Sequence, residues 1–210
     1  HIPVQYVAIV DESHPFGLYS DMSFTAIILA AGKGTRMNSA LPKPLHRVGG
    51  HAMLAWSMDA ARLAGAERIV TVLAPGSEDI QDWLDGAPFA IQEDQLGTGN
   101  AVASAREAVG NEDGVAIVMF ADTPLVSAAK LKQLAEGVKA GAGIIIAGFR
   151  PDDPSGYGRL VEDADGTISR IVEDRECSPA ERAIGLCNGG IMAVSRSSLF
   201  TWLDRVTNDN

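Results

Sequence analysis

Two cysteines in 210 residues are too few for a disulfide framework, and neither Cys177 nor Cys187 stands at metal-site spacing from other ligands. They are expected as reduced thiols of a cytoplasmic protein. No apolar run approaches the roughly 20 residues of a membrane span. Cations are scarce as well: 17 Lys and Arg against 27 Asp and Glu leave a formal net charge of −10. That argues against a nucleic acid or an anionic membrane as the main partner. An acidic protein can still bind a phosphorylated small molecule, provided a few cations are gathered in one place. Catalytic patterns of the Ser-His-Asp or Cys-His kind are missing too. His46 and His51 join no ligand pattern and read as packing or loop residues, and Trp56, Trp83 and Trp202 read as core or rim of helices.

What is present is a globular composition, 46% hydrophobic and 21% charged, with enough length for one large domain. The stretch 1–21, ahead of Met22, has no initiator Met and no signal-peptide pattern, and it is expected to stand outside the fold. The polar end "RVTNDN" is expected to be a cut edge, so that the domain over 22–210 is incomplete at its C-terminus.

Between these ends, apolar runs of strand length alternate with helix-like segments. Strands are predicted over 24–30, 68–74, 89–94, 114–120 and 143–149, and helices over 51–65, 77–86, 99–110 and 127–141. This alternation predicts a parallel sheet covered by helices on both faces. After residue 150 the rhythm changes. "GYGRLVEDADGTISRIVED" alternates around Asp165-Gly166 and predicts a β-hairpin, followed by a strand over 189–195 and a helix over 196–206. The expected fold is α/β: three layers around a mixed, mainly parallel Rossmann-like sheet with a small antiparallel insertion.

Four stretches carry chemistry. "IILAAGKGTRMNSALPKPL" (27–45) runs from an apolar strand into a glycine-rich cationic loop. It is neither a Walker A loop nor the dinucleotide fingerprint, because Met37 stands where a third glycine belongs. Its content is nevertheless suited to phosphate. Glycines let backbone N–H groups approach anionic oxygens, Arg36 offers a planar fork of donors and Lys43 a point charge. In "FADTPL" (120–125), Asp122 directly follows a buried strand. Alone it reads as a turn or helix cap; opposite a phosphate loop it reads as a Mg²⁺ ligand. "QEDQLGTGNA" (92–101) sets Gln92, Gln95 and a Gly97-Thr98-Gly99 turn at a helix start, either as neutral readers of a pyrimidine edge or as plain helix-start chemistry. "GYGRL" (156–160), Glu173 and Asn188 are either sugar-hydroxyl ligands or hairpin and surface residues.

Taken together, "LAAGKGTRM", "LPKPLH", "QLGTGNAV", "DTPL", "GYGRL", "IVED" and "NGGI" resemble, in content and order, the bacterial sugar-1-phosphate nucleotidyltransferases. The branch most resembled is the N-terminal pyrophosphorylase domain of the bifunctional UDP-N-acetylglucosamine pyrophosphorylase/glucosamine-1-phosphate acetyltransferases. The resemblance runs from about Ser23 to Asn210 and implies the nucleotide-diphospho-sugar transferase fold. It also implies Mg²⁺-dependent uridylyl transfer from UTP to N-acetylglucosamine 1-phosphate, a step toward cell-wall precursors.

By the same resemblance, Leu29, Ala30, Ala31 and Gly32 would contact the nucleotide, Arg36 and Lys43 its triphosphate, and Gln92, Gly97 and Thr98 uracil and ribose. Asp122 would hold Mg²⁺, while Ala121, Gly158, Glu173 and Asn188 would hold the sugar. Two departures stand out: Phe120-Ala121-Asp122 replaces the family's Tyr-Gly-Asp, and Asn188-Gly189-Gly190 its Asn-Thr-Gly. The family's second Mg²⁺ ligand, and the β-helix domain through which its full-length members transfer acetyl groups and trimerise, are expected to lie beyond residue 210. Two alternatives remain: a nucleotidyltransferase for another sugar or polyol phosphate, and a nucleotide-sugar-binding module that has lost catalysis.

Overall fold

A computed structural model describes residues 23–206 apart from Lys33, Thr35, Arg36 and Asn111. Expectations for residues 1–21 and for the C-terminal end lie outside the described residues.

Five strands form the first half of the sheet or border it: β1 (Phe24–Leu29), β4 (Ala66–Leu73), β5 (Phe89–Ile91), β6 (Val115–Phe120) and β10 (Cys187–Ser195). Their neighbours run β5-β4-β1-β6-β10, and the first four are mutually parallel. β1 sits at the centre, with Ile27 opposite Val70 on one side and Val118 on the other. Every residue of β1 is buried, because both faces of the strand are covered. Alternate side chains point to opposite layers. Phe24, Ala26 and Ile28 join Ile117 and Met119 in one core, against α1 (Met53–Ala64), α2 (Glu78–Leu84) and α5 (Ala128–Lys139). Ile27 and Leu29 join Val70, Val72 and Val118 in the other, against α3 (Thr98–Ser104), α4 (Arg106–Val109) and α7 (Arg196–Leu203). Each fully buried Ile or Phe contributes about 1.5–3 kcal/mol, so this double lining settles the register: a one-residue slip would exchange the two cores.

The second half is antiparallel and larger than the expected insertion. β10 runs antiparallel to β6 on one side and, on the other, to β7 (Ile144–Phe149). It touches β8 (Arg159–Glu162) through Cys187 and Arg159, and β8 pairs antiparallel with β9 (Ile168–Val172). The βα rhythm therefore reads true through β6 and α5, but the strand that follows in sequence is not the next in space. A strand from near the end of the described chain lies between β6 and β7. Hydropathy records that a strand is covered on both faces and says nothing of its edge partners.

Local differences have local causes. The helix expected over 51–65 starts at Met53, because His51–Ala52 (β3) pairs with Arg47–Val48 (β2). The helix expected over 99–110 breaks at Ala105 into α3 and α4. Ser77 precedes α2 without capping it through its side chain. Both cysteines are free and buried, and Trp56 and Trp83 lie on the rim. Among the described residues no helix is long and apolar enough to cross a membrane.

Candidate active site

Parallel strands deliver their carboxyl ends to one edge, and here three hydrogen bonds stitch four of those ends together. Ala30 N–H donates to Val72 O (2.8 Å), Ala121 N–H to Leu29 O (3.0 Å) and Gln92 N–H to Leu73 O (2.8 Å). A cavity of about 660 Å³ opens above this edge. Leu29, Ala30, Ala31 and Gly32 form its floor from the β1 loop. Gln92 and Gly97 line it from the segment between β5 and α3 and Thr98 from the first position of α3, with Ala121 and Asp122 following β6. Lys43 joins them from a short 3₁₀ turn, Lys43–Leu45. Ten of the residues proposed from sequence thus meet around one space. Arg36 lies outside the described residues.

The β1 loop can fold back to bring Lys43 here because Gly34 lacks a side chain. Its φ is +55°, and a Cβ there would lie 2.9 Å from Lys43 Cβ, too close without a backbone shift. Lys43 Nζ pairs with Asp122 Oδ2 at 2.5 Å, with both side chains a little over one-third exposed. This contact bears on the turn-or-cap reading of Asp122. Its carboxylate caps no backbone N–H among the described residues; the turn after β6 is closed instead by Thr123, whose hydroxyl donates to Phe120 O (2.8 Å). Asp122 is therefore a carboxylate presented to the cavity, balanced by one cation.

The donor set can be tested against Mg²⁺. Asp122 supplies hard oxygen, as Mg²⁺ prefers. Among the described residues no three His, Cys, Asp or Glu gather into a metal site. A cation at Asp122 would draw its remaining ligands from water and substrate phosphates, which is how Mg²⁺ is ordinarily held on phosphate substrates. The residues fit the ion in that sense.

Gly158, Glu173 and Asn188 meet one another but do not line the cavity. Asn188 N–H donates to Gly158 O (2.8 Å), and a Cβ on Gly158 would lie 3.4 Å from Glu173 Oε1. Arg159, almost wholly buried, ties this corner by donating to Asp174 Oδ1 (3.2 Å) and to Tyr157 O. Phe120 stands on the side of the cavity that borders β10, against Gly190, two residues along from Asn188. It lines the cavity, and its Cε2 lies 3.0 Å from where a Cβ on Gly190 would stand. Sequence reasoning missed Phe120, Met37 and Pro44 as cavity walls. Apolar residues carry no chemical signature, and only their position beside Asp122 and the cationic loop could have marked them.

With this geometry in place, comparison with known proteins is direct. Residues 26–202 match the family model described as the MobA-like NTP transferase domain. The chain is 46% identical over 190 residues to the bifunctional protein GlmU of Maricaulis maris, spanning 90% of this chain and 42% of that protein. It is 43% identical over 187 residues to the protein of the same name from Rhodospirillum rubrum, spanning 88% and 42%. It thus covers about two-fifths of the length of these curated relatives. Among solved structures, a UDP-glucose pyrophosphorylase complexed with UDP-glucose superposes with a TM-score of 0.70 at 19% identity, over 89% of this chain and 81% of that one. A putative glucose-1-phosphate thymidylyltransferase from Bacillus anthracis gives 0.73 at 20% identity, over 88% and 76%. At that identity the two structures speak for the fold alone.

Proposed function

The chain belongs to the family of MobA-like NTP transferase domains, and from that premise we propose that it transfers a uridylyl group from UTP to N-acetylglucosamine 1-phosphate, releasing pyrophosphate. The observation that carries the reading is the convergence of the β1 loop, Lys43, Gln92–Thr98 and Asp122 on one cavity. Similarity to the GlmU proteins supports the choice of substrates.

The chemistry asks little of acids and bases. The sugar phosphate is already anionic at neutral pH. One of its phosphate oxygens attacks the α-phosphorus of UTP, forming a P–O bond as the bond to the β-phosphate oxygen breaks, and that electron pair leaves on pyrophosphate. The obstacle is bringing two polyanions into line, so positioning and charge neutralisation do most of the work. Lys43 lies beside the cavity to meet the phosphates, and Arg36, on the same loop in sequence, shares that role. Asp122 would hold Mg²⁺, which when bound supplies positive charge to the phosphate oxygens. Gln92, Gly97 and Thr98 receive the base and ribose, while Gly158, Glu173 and Asn188 form the corner offered to the sugar.

The test is pyrophosphate release from UTP and Mg²⁺ with N-acetylglucosamine 1-phosphate or glucose 1-phosphate as acceptor. Release favouring the N-acetylated sugar is the expected result. Tight UDP-N-acetylglucosamine binding without release would point to a binding module. Absence of both would overturn the reading.

A further inference from the structure

Gln92 is 4% exposed, yet it lines the cavity. Its side-chain amide is committed on one side only. Nε2 donates to Gly97 O at 3.1 Å and to Asn100 Oδ1 at 2.8 Å, which spends both of its N–H groups on acceptors of the protein. Oε1 receives no hydrogen bond from the described residues and is not among the enclosed polar atoms that lack a partner. The open side of this amide is therefore an acceptor.

The orientation is not arbitrary. Gly97 O can only accept, so it selects Nε2 as the atom facing it. Asn100 must then turn Oδ1 toward Gln92, since its own NH₂ group would set donor against donor. A rotated Gln92 amide would place Oε1 against two acceptors and lose two hydrogen bonds. Gly97 O also accepts the N–H of Ala101 (3.1 Å), the first bond of α3, so one partner belongs to the helix start itself. Asn100, part-buried on the first turn of α3, is the other, and it is a side chain that can be changed.

Resting on the uridylyl reading above, we infer that Asn100 is a positioning residue for base selection: it locks the Gln92 amide so that the cavity offers an acceptor and no donor at that point. A uracil edge carries an N3–H donor that suits this acceptor. Cytosine presents a bare N3 acceptor there and is repelled. Without Asn100, one hydrogen bond instead of two holds the amide. Rotation then becomes easier, and a rotated Nε2 can donate to cytosine.

The experiment is calorimetric binding of UTP and of CTP, each with Mg²⁺, to the 210-residue chain and to its Asn100→Leu and Asn100→Asp variants. The readout is the ratio of the two affinities. Both nucleotides carry the same phosphates, so the ratio is insensitive to the charge that Asp adds. The wild type is expected to favour UTP. Asn100→Leu should narrow that preference about fivefold, the effect of one hydrogen bond near 1 kcal/mol. Asn100→Asp, which keeps an acceptor facing Nε2, should preserve it. A merely structural role would weaken UTP and CTP together and leave the ratio where it was. An unchanged ratio in Asn100→Leu, or a collapsed one in Asn100→Asp, overturns the inference while leaving the uridylyl reading intact. A wild type indifferent between UTP and CTP overturns both. Should Asn100→Leu fail to melt cooperatively, Asn100→Ala removes the same acceptor with less bulk and is judged by the same ratio.

Discussion

In the parallel half of the sheet, β4, β1 and β6 end at one edge, and segments 89 residues apart in sequence, Leu29–Gly32 and Ala121–Asp122, meet without any special device. In the antiparallel half, successive strands end at opposite edges. There Gly158, Glu173 and Asn188 are gathered by a hairpin, a bond between Asn188 and Gly158, and an irregularity in β10 between Asn188 and Met192. One half obtains its cavity from topology; the other depends on particular glycines and on an ion pair between the buried Arg159 and the partly exposed Asp174. Substitution should accordingly reach function by different routes in the two halves.

The largest expected effect is in the parallel half. Asp122→Asn keeps the shape and removes the charge that faces Lys43 and would face Mg²⁺. Pyrophosphate release should fall about 100-fold or more, with the melting temperature little changed because the pair is exposed. Retained Mg²⁺-dependent turnover in this variant would place the metal elsewhere. Glu173→Gln should act on the other substrate. We expect KM for the sugar phosphate to rise about tenfold, the scale of a hydrogen bond to a charged group, while UTP affinity stays as it was. Equal losses for both substrates would abolish the division of labour between the halves.

Gly190→Ala tests the seam itself. Gly190 has φ +77°, and its added Cβ would crowd Phe120. A loss of about 1–2 kcal/mol in denaturant unfolding is expected, and an unchanged midpoint would mean that the bulge is not constrained. The smallest effect is electrostatic and local. Glu181 closes a capping box on the short α6 (Pro179–Arg182), and its carboxyl is drawn down to about 2 by the Ser178 hydroxyl first, then by Arg170 and the Ser178 N–H. Because the folded value lies below the ordinary 4.5, its contribution is complete above that pH and is lost as pH falls toward 2. The amide signal of Ser178, followed by NMR from pH 5 to 2, should shift with a midpoint near the lower value. A midpoint at the ordinary value would mean the box is open in solution.

Much of the parallel half was legible in advance. Its strands are apolar along their whole length because both faces are covered, and a lone Asp122 after such a strand must emerge at the edge. The cavity-lining residues were readable because glycine, cation and amide types stand next to those strand ends. The antiparallel half was harder. The hairpin could be read from Asp165-Gly166, but the position of β10 between β6 and β7 could not, because alternation and burial carry no record of which edges meet.

The amino-acid sequence alone determined the kind of layers, the strands at their centre and the chemical types at their ends, since these follow from local periodicity, turn chemistry and charge. Only the tertiary structure decided that Lys43 sits against Asp122, that Phe120 sits against Gly190, and that Gln92 shows its oxygen rather than its nitrogen. Each of those depends on atoms brought together from separate parts of the chain, and a hydrogen bond or an ion pair has no meaning until the distance between its partners is set.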